Sequence, residues 1–278
     1  MSAALTLRGR WRRLALGLPT VLGLRPGGWF IPHRYAPLLP PPGAQPPYPA
    51  IEELFDRHEG EFLGLLDLVN SDRAALDGLA PLLHQSWFPS LDAAVAFTLV
   101  RTRAPRRIIE VGSGHSTRIL SHAAPRGTDI LAIDPKPRAD ISGLPGVQVG
   151  LSTLQATPLE LFDTLAAGDV LFIDSSHILM PGSDVDILFN RILPRLPAGV
   201  LVHIHDIFLP FDYPASWGWR NYNEQQGVLP LLVTGAYRPL FSSVWAERRL
   251  VSRLAYSEVT TLPRPAEALP ASLWLEKR

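Results

Sequence analysis

Two signals for ligand binding lie about twenty residues apart near the middle of the chain. The stretch Glu110-Val111-Gly112-Ser113-Gly114 follows an apolar run and leads into a helical segment near Ser116 and Thr117. The glycines permit a tight turn and a close backbone approach to a ligand, and the helix N-terminus offers unpaired N–H groups. Asp134 ends the next apolar run, where its carboxylate can accept hydrogen bonds from two ribose hydroxyls. The spacing therefore predicts a βαβ unit that binds a nucleoside.

A second group of polar residues follows two later apolar runs. Asp174 and His177 come after residues 170–173, and His205 and Asp206 come after residues 200–204. Histidine can take a proton near neutral pH, and a mixed carboxylate–histidine set can hold Mg²⁺, Mn²⁺ or another divalent ion. Two routes remain open: catalysis by His177, His205 and Asp206 alone, or a metal site at Asp174, His205 and Asp206.

Alternating strands and helices must position these residues. Short apolar runs predict strands at 107–111, 130–133, 147–149, 170–173 and 200–204, and helical runs between them predict a parallel sheet buried on both faces. Two more strands are predicted at 241–245 and 272–275. His203 and His205 point to the same face of their strand, so one of them is expected to be an interior residue.

The N-terminal third has a different character. Residues 1–48 are predicted to be an arm that ends in a proline-rich linker, and the aromatic stretch 29–35 is expected to pack on the main domain. Residues 49–105 are predicted to be a helical extension, with one apolar helix face running from Ile51 to Val69 and a second helix capped by Ser90. Residues 106–278 would form the main α/β domain.

The glycine loop resembles motif I of class I S-adenosylmethionine-dependent methyltransferases. Asp169-Val170-Leu171-Phe172-Ile173-Asp174-Ser175-Ser176-His177 resembles the "FIDGDH" motif of a subgroup that includes small-molecule O-methyltransferases, and Leu201-Val202-His203-Ile204-His205-Asp206 resembles its "LHD" motif. The resemblance covers about residues 88–278. It departs from the metal-dependent pattern at Ser175-Ser176 and at His205.

This resemblance implies a Rossmann-like, doubly wound α/β fold with a seven-stranded sheet in the order 3-2-1-4-5-7-6 and an antiparallel last strand. It implies S-adenosylmethionine as the cofactor and methyl transfer to a small-molecule acceptor, at a hydroxyl oxygen. The ends of strands 4 and 5 would then converge where the methyl group is transferred. The predicted cofactor-binding residues are Glu110, Gly112, Ser113, Gly114, Ser116, Thr117, Asp134 and Asp174.

Two other functions remain as alternatives. An NAD-type oxidoreductase is disfavoured because a dinucleotide loop would carry a third glycine where Thr117 stands. A catalytically silent nucleoside-binding protein would keep the same motifs.

The composition of the chain limits the classes of partner that it is expected to bind. The net charge of zero disfavours nucleic acid, and the absence of cysteine excludes disulfides and thiolate catalysis. No apolar run reaches transmembrane length, so no stable membrane insertion is expected. The basic, then apolar stretch 7–18 could mimic a signal peptide or lie on a membrane surface. A cytoplasmic location is the default expectation, and a homo-oligomer is compatible with the sequence.

Overall fold

A computed structural model describes residues 7–278, apart from the side chain of Arg73. Residues up to Pro46, together with Asp212–Asn221, form one compact unit. Pro47–Phe211 and Tyr222–Arg278 form the second, larger unit. No helix of the described chain is long and apolar enough to cross a membrane.

The larger unit contains a seven-stranded sheet in the order β3-β2-β1-β4-β5-β7-β6, as the resemblance implied. Its strands are β1 (Arg107–Val111), β2 (Asp129–Ile133), β3 (Val147–Gly150), β4 (Val170–Ile173), β5 (Leu201–Ile204), β6 (Tyr237–Ser242) and β7 (Leu273–Lys277). Strands β1 to β5 run parallel, and β7 runs antiparallel to both β5 and β6. The carboxyl ends of β1, β2, β4 and β5 therefore meet at one edge, where ligands bind in sheets of this kind.

Helices cover both faces of this sheet. The helices of the chain are α1 (Leu7–Val21), α2 (Pro49–Arg57), α3 (Glu59–Ser71), α4 (Arg73–Asp77), α5 (Ser90–Arg103), α6 (His115–Ala123), α7 (Asp184–Ile187), α8 (Glu224–Val233), α9 (Ser243–Arg249) and α10 (Val251–Ala255). A π-helical turn, Leu188–Ile192, continues α7. Short 3₁₀ turns occupy Ala36–Leu38, Ala80–Leu82, Leu154–Ala156, Leu159–Thr164, Leu193–Arg195, Ala215–Trp217 and Glu258–Thr261.

Aromatic side chains anchor α2 and α3 to the far edge of the sheet. Phe62 lies 5.7 Å from Phe55 and 5.4 Å from Trp245, measured between ring centroids, and both contacts are edge-on. Phe62 also contacts Phe241 of β6 at 5.7 Å. All four side chains are buried, and burying each one contributes about 2–3 kcal/mol.

Three sequence predictions about local structure are wrong. The apolar face from Ile51 to Val69 belongs to two helices, because the chain leaves helical geometry at His58 (φ −105°, ψ 9°). Ser90 is the first helical residue and caps nothing, since Pro89 occupies the cap position. The strand predicted at 241–245 ends at Ser242, whose hydroxyl accepts from the Trp245 N–H and starts α9. The packing of the stretch 29–35 on the main domain stays a prediction.

Candidate active site

The loop between β1 and α6 approaches β4 so closely that position 112 admits only glycine. Gly112 has a φ of +81°, and a Cβ atom there would lie 1.9 Å from the carbonyl oxygen of Asp174. The Gly112 N–H donates to the carbonyl of Ile133 at 3.0 Å, and the Asp174 N–H donates to that of Val111 at 2.8 Å. The ends of three strands are thereby tied to one loop.

A buried network lies beneath this loop. The hydroxyls of Ser116 and Thr117, at the start of α6, pair with the two carboxyl oxygens of Glu110 at 2.6 and 2.7 Å. The Thr117 hydroxyl also accepts from the N–H of Gly114 at 2.9 Å. Burial, opposed only in part by these hydroxyls, raises the pKa of Glu110 to about 8. Glu110 is therefore a neutral acid near pH 7 that fastens α6 to β1.

Asp134 lies at the end of β2 beside the glycine loop. One carboxylate oxygen accepts from the backbone N–H of Ser113 at 2.7 Å and from its hydroxyl at 3.1 Å. The other accepts from the N–H of Lys136 at 2.7 Å. The oxygen that accepts from Lys136 keeps a further lone pair, so this oriented carboxylate can still accept a hydrogen bond from a ligand hydroxyl.

A cavity of about 260 Å³ opens at this edge of the sheet. Among the predicted cofactor residues, Gly112, Ser113, Asp134 and Asp174 line it, whereas Glu110, Gly114, Ser116 and Thr117 do not. Sequence reasoning did not assign the rest of the lining, because most of these residues lie outside the recognised motifs. That remaining lining consists of Val111, Ile133, Pro135, Lys136, Arg138, Thr153, Leu154, Gln155, Ser175 and Asp184.

The second predicted group assembles next to this cavity. His177 Nε2 lies 3.3 Å from an oxygen of Asp174 and 3.4 Å from one of Asp206. His205 Nδ1 lies 3.4 and 3.5 Å from the same two carboxylates. We call these four residues the acid–base cluster. The structure thus brings together residues from the ends of β4 and β5, as the sequence predicted.

Backbone strain marks two members of the acid–base cluster. His177 and Asp206 have φ values of +61° and +56°, in the left-handed region. Such a conformation costs a non-glycine residue about 1–3 kcal/mol, and strain of this kind concentrates at functional sites. The surrounding contacts hold both side chains in place against that cost.

Charges within the acid–base cluster stabilise one another. Burial alone would lower the pKa of His177 and His205, but the Asp206 and Asp174 carboxylates raise both pKa values well above the usual range. Burial would raise the pKa of Asp174, yet the two imidazoles hold it well below its usual range. The cluster therefore favours imidazolium and carboxylate forms in close pairs.

Two buried carboxylates that sequence reasoning missed support the imidazoles. Glu224, the first residue of α8, lies with Oε2 2.9 Å from His177 Nδ1. Asp92 of α5 lies 3.6 Å from His205 Nε2 and accepts from the N–H groups of Ala271 and Ser272. Burial raises the pKa of Glu224, whereas its contact with His177 lowers it. When Glu224 is ionised it can only accept, so the neutral His177 ring then carries its proton on Nδ1 and has Nε2 as its basic nitrogen.

His203 is the interior histidine that the strand alternation predicted. Its ring stacks on Phe172 with centroids 3.7 Å apart, and its Nε2 lies 2.8 Å from the hydroxyl of Ser272. Burial holds the pKa of His203 well below the usual range, so the ring is neutral.

The proximity of Asp174, His205 and Asp206 does not amount to a metal site. Within residues 7–278, no group of three or more histidine and carboxylate side chains has an arrangement that could hold a metal ion. The oxygens of both aspartates are instead shared between the two imidazoles.

Comparisons with known proteins agree with this geometry. Residues 109–207, which run from β1 past the end of β5, match the family model described as "Methyltransferase domain". The sheet order and the glycine loop at its edge define the class I, Rossmann-like methyltransferase fold. Residues 109–207 are accordingly identified as a methyltransferase domain. Among curated proteins, none matches the chain.

Several solved structures are similar to this chain, three of which follow. A methyltransferase from Geobacter sulfurreducens is 15% identical over 74% of this chain and 86% of its own, with a TM-score of 0.41. The O-methyltransferase TomG from Streptomyces achromogenes is 18% identical over 73% and 88%, with a TM-score of 0.39. An O-methyltransferase from Bacillus cereus is 13% identical over 77% and 91%, with a TM-score of 0.41. Similarities of this size transfer no property of these proteins to this chain.

Proposed function

We propose that the chain transfers the methyl group of S-adenosylmethionine to a hydroxyl oxygen of a small-molecule acceptor. The observation that carries this proposal is that Asp174 belongs to both the cavity and the acid–base cluster. Its side chain lines the cavity beside the glycine loop and also lies within 3.4 Å of both imidazoles of the acid–base cluster. The cavity proposed for the cofactor and the imidazole proposed to take up the proton therefore meet at one residue.

The residues around the cavity fit the cofactor. Gly112 carries no side chain and permits a close approach, and Asp134 is oriented to accept from a ribose hydroxyl. Glu110, Gly114, Ser116 and Thr117 would act indirectly, by fixing the loop and the start of α6. When bound, S-adenosylmethionine supplies a methyl group activated by its positively charged sulfur.

The acid–base cluster would handle the proton of the acceptor. The Asp174 side chain is 30% exposed whereas that of His177 is 3% exposed, so an acceptor hydroxyl would meet Asp174 first. The proton would then go to Nε2 of His177, 3.3 Å from Asp174, and the resulting imidazolium would be stabilised by Asp206 and Glu224. A positioned base of this kind contributes about 10²–10⁴-fold to the rate.

Residues 106–278 would form the catalytic domain, with 49–105 as a helical extension and 1–48 as a separate arm. With these boundaries, Asp92 belongs to the extension and lies 3.6 Å from His205 of the catalytic domain. The extension would therefore help to shape the site.

Calorimetric titration with S-adenosylhomocysteine and, in parallel, with NAD⁺ tests the cofactor assignment. Binding of S-adenosylhomocysteine alone, lost in Asp134→Ala, is the expected result. Binding of NAD⁺ instead would favour the oxidoreductase, and binding of neither would overturn the proposal.

Transfer of a labelled methyl group to a panel of phenols and sugars then tests turnover. His177→Asn is expected to lower turnover about 10²–10⁴-fold while S-adenosylhomocysteine still binds. His205→Asn is the matched comparison, because His205 contacts the same two aspartates, Asp174 and Asp206, as His177 does. If cofactor binds and His177→Asn turns over normally, the proton acceptor is another residue.

A further inference from the structure

Charge is distributed unevenly along this neutral chain. Residues 1–51 contain six arginines and no aspartate or glutamate, since the first acidic residue is Glu52. The whole chain has 26 basic and 26 acidic residues, so the remaining 20 basic residues accompany all 26 acidic ones. The N-terminal segment therefore carries a positive charge that the net value conceals.

Four of these arginines lie on α1, where they alternate with large apolar residues. Leu7, Trp11, Leu14 and Leu18 are spaced four, three and four residues apart, so they form one stripe along the helix. Val21, the last residue of α1, and Leu22 just after it continue the same stripe. The four arginines, which lie beside and behind the stripe, are Arg8, Arg10, Arg12 and Arg13.

The side chains of the apolar stripe of α1 are exposed to solvent. The exposed fractions of Leu7, Trp11, Leu14 and Leu18 are 73%, 65%, 53% and 53%. The residues of α1 that are partly covered are Gly9, Gly17, Pro19 and Thr20, most of which lie on the opposite side of the helix. Exposing a tryptophan and several leucines in one stripe is unfavourable in water, so the stripe is suited to a partner.

We propose that α1 binds the surface of an anionic lipid bilayer, lying parallel to it with the Leu7–Trp11–Leu14–Leu18 stripe inserted. Helices that lie in the interface combine an apolar face rich in leucine and tryptophan with a basic polar face. At about 1.5 Å for each residue, α1 is about 22 Å long and presents its whole stripe to one plane. The arginines would contact the anionic headgroups on either side of the stripe.

The chemistry of α1 favours a bilayer over a nucleic acid. A nucleic-acid backbone is recognised by arginine and lysine side chains, and it offers no apolar layer for a stripe of three leucines and a tryptophan. A bilayer interface takes up the leucines, the tryptophan and the arginines at once. The exposed Trp29, Phe30 and Ile31, further along the same acid-free segment, add apolar surface of the same kind.

Co-sedimentation of the full chain with vesicles tests the proposal. Vesicles of phosphatidylcholine with 30% phosphatidylglycerol are expected to bind the protein at least tenfold more tightly than pure phosphatidylcholine vesicles, and added salt should weaken this difference. Hydrogen–deuterium exchange on vesicles should show protection within residues 7–22.

Two sets of variants separate the contributions of α1. Replacing Arg8, Arg10 and Arg12 by glutamine is expected to weaken binding to the anionic vesicles about fivefold for each arginine. Arg13 is left in place because its guanidinium donates to the carbonyl of Trp219. The matched control replaces three exposed arginines outside α1 by glutamine: Arg103, Arg126 and Arg191.

The apolar set replaces Leu14 and Leu18 by glutamine, with Val251→Gln, exposed on α10, as its control. Binding should fall about tenfold for each leucine and remain unchanged in the control. Three results would overturn the proposal: no binding to anionic vesicles, binding that both α1 sets leave unchanged, or arginine-dependent binding to a short RNA without vesicle binding.

Discussion

Glu110 makes the stability of this protein depend on pH in a way that one substitution should remove. The folded state raises the pKa of this carboxyl from 4.5 to about 8. Below pH 4.5 Glu110 is protonated in both states, and its contribution to stability is fully present. Above pH 4.5 the unfolded chain loses the proton while the folded chain keeps it, so stability falls until the folded carboxyl ionises near pH 8.

The size of this effect follows from the two pKa values. The difference between 4.5 and about 8, at about 1.4 kcal/mol for each pH unit, corresponds to about 5 kcal/mol in full. About 4 kcal/mol of it falls between pH 5 and pH 9. Glu110→Gln keeps the shape of the side chain, and its amide can donate to the hydroxyl of Ser116 in place of the carboxylic acid.

Urea unfolding of the wild type and of Glu110→Gln at pH 5, 7 and 9 measures this contribution. The difference between the two proteins cancels the titration of all other groups. From pH 5 to pH 9, the free energy of unfolding of the variant should increase by about 4 kcal/mol relative to that of the wild type. Glu160→Gln, which removes an exposed carboxylate, is the control for the loss of one formal charge. A difference that stays constant within about 1 kcal/mol would refute the assignment of a neutral, buried Glu110.

Other predictions concern the cavity and the acid–base cluster. Asp134→Ala should weaken S-adenosylhomocysteine binding by about 1–3 kcal/mol in calorimetry, because the ribose hydroxyls lose their acceptor; unchanged affinity would remove that role. Gly112→Ala should abolish this binding, whereas Gly168→Ala, at a similar φ of +88° but in open space, should retain it. Turnover should rise with pH above 7, since His177 acts as a base only after losing a proton that the neighbouring carboxylates hold. Glu224→Gln should move that rise to lower pH, because His177 loses a carboxylate that holds its proton. An unchanged pH profile would show that Glu224 does not influence the base. Turnover in the presence of EDTA should stay within about twofold of its normal value, and a loss that Mg²⁺ restores would support the metal route at Asp174 and Asp206.

The parts of the site that the sequence predicted are those that depend on local chain geometry. The glycine loop and Asp134 belong to one βαβ unit, so their spacing was sufficient to bring them together. The order of the seven strands was inferred from the resemblance and is confirmed. Strand alternation supported only a doubly wound sheet.

The supporting carboxylates could not be predicted in this way. Glu224 lies 47 residues from His177 along the chain, at the start of a helix whose packing decides the contact. In the sequence, Asp92 is an ordinary acidic residue in the first turn of α5. Its contact with the start of β7 depends on how α5 packs, which the sequence does not predict. The wrong strand boundary at 241–245 has a similar cause. Phe241 and Trp245 are both buried apolar residues, and only the capping hydroxyl of Ser242 separates strand from helix.

Asp174 links the two halves of the site through different atoms. Its carbonyl oxygen lies where a side chain on Gly112 would have to go, so the main chain at position 174 sets the path of the cofactor loop. Its carboxylate pairs with His177 and His205, so the same residue sets the charge of the acid–base cluster. Asp174→Asn would keep the main chain and remove the charge, whereas Gly112→Ala would displace the main chain and keep the charge. If the proposed division of labour holds, the first substitution lowers turnover with little loss of cofactor affinity, and the second lowers both.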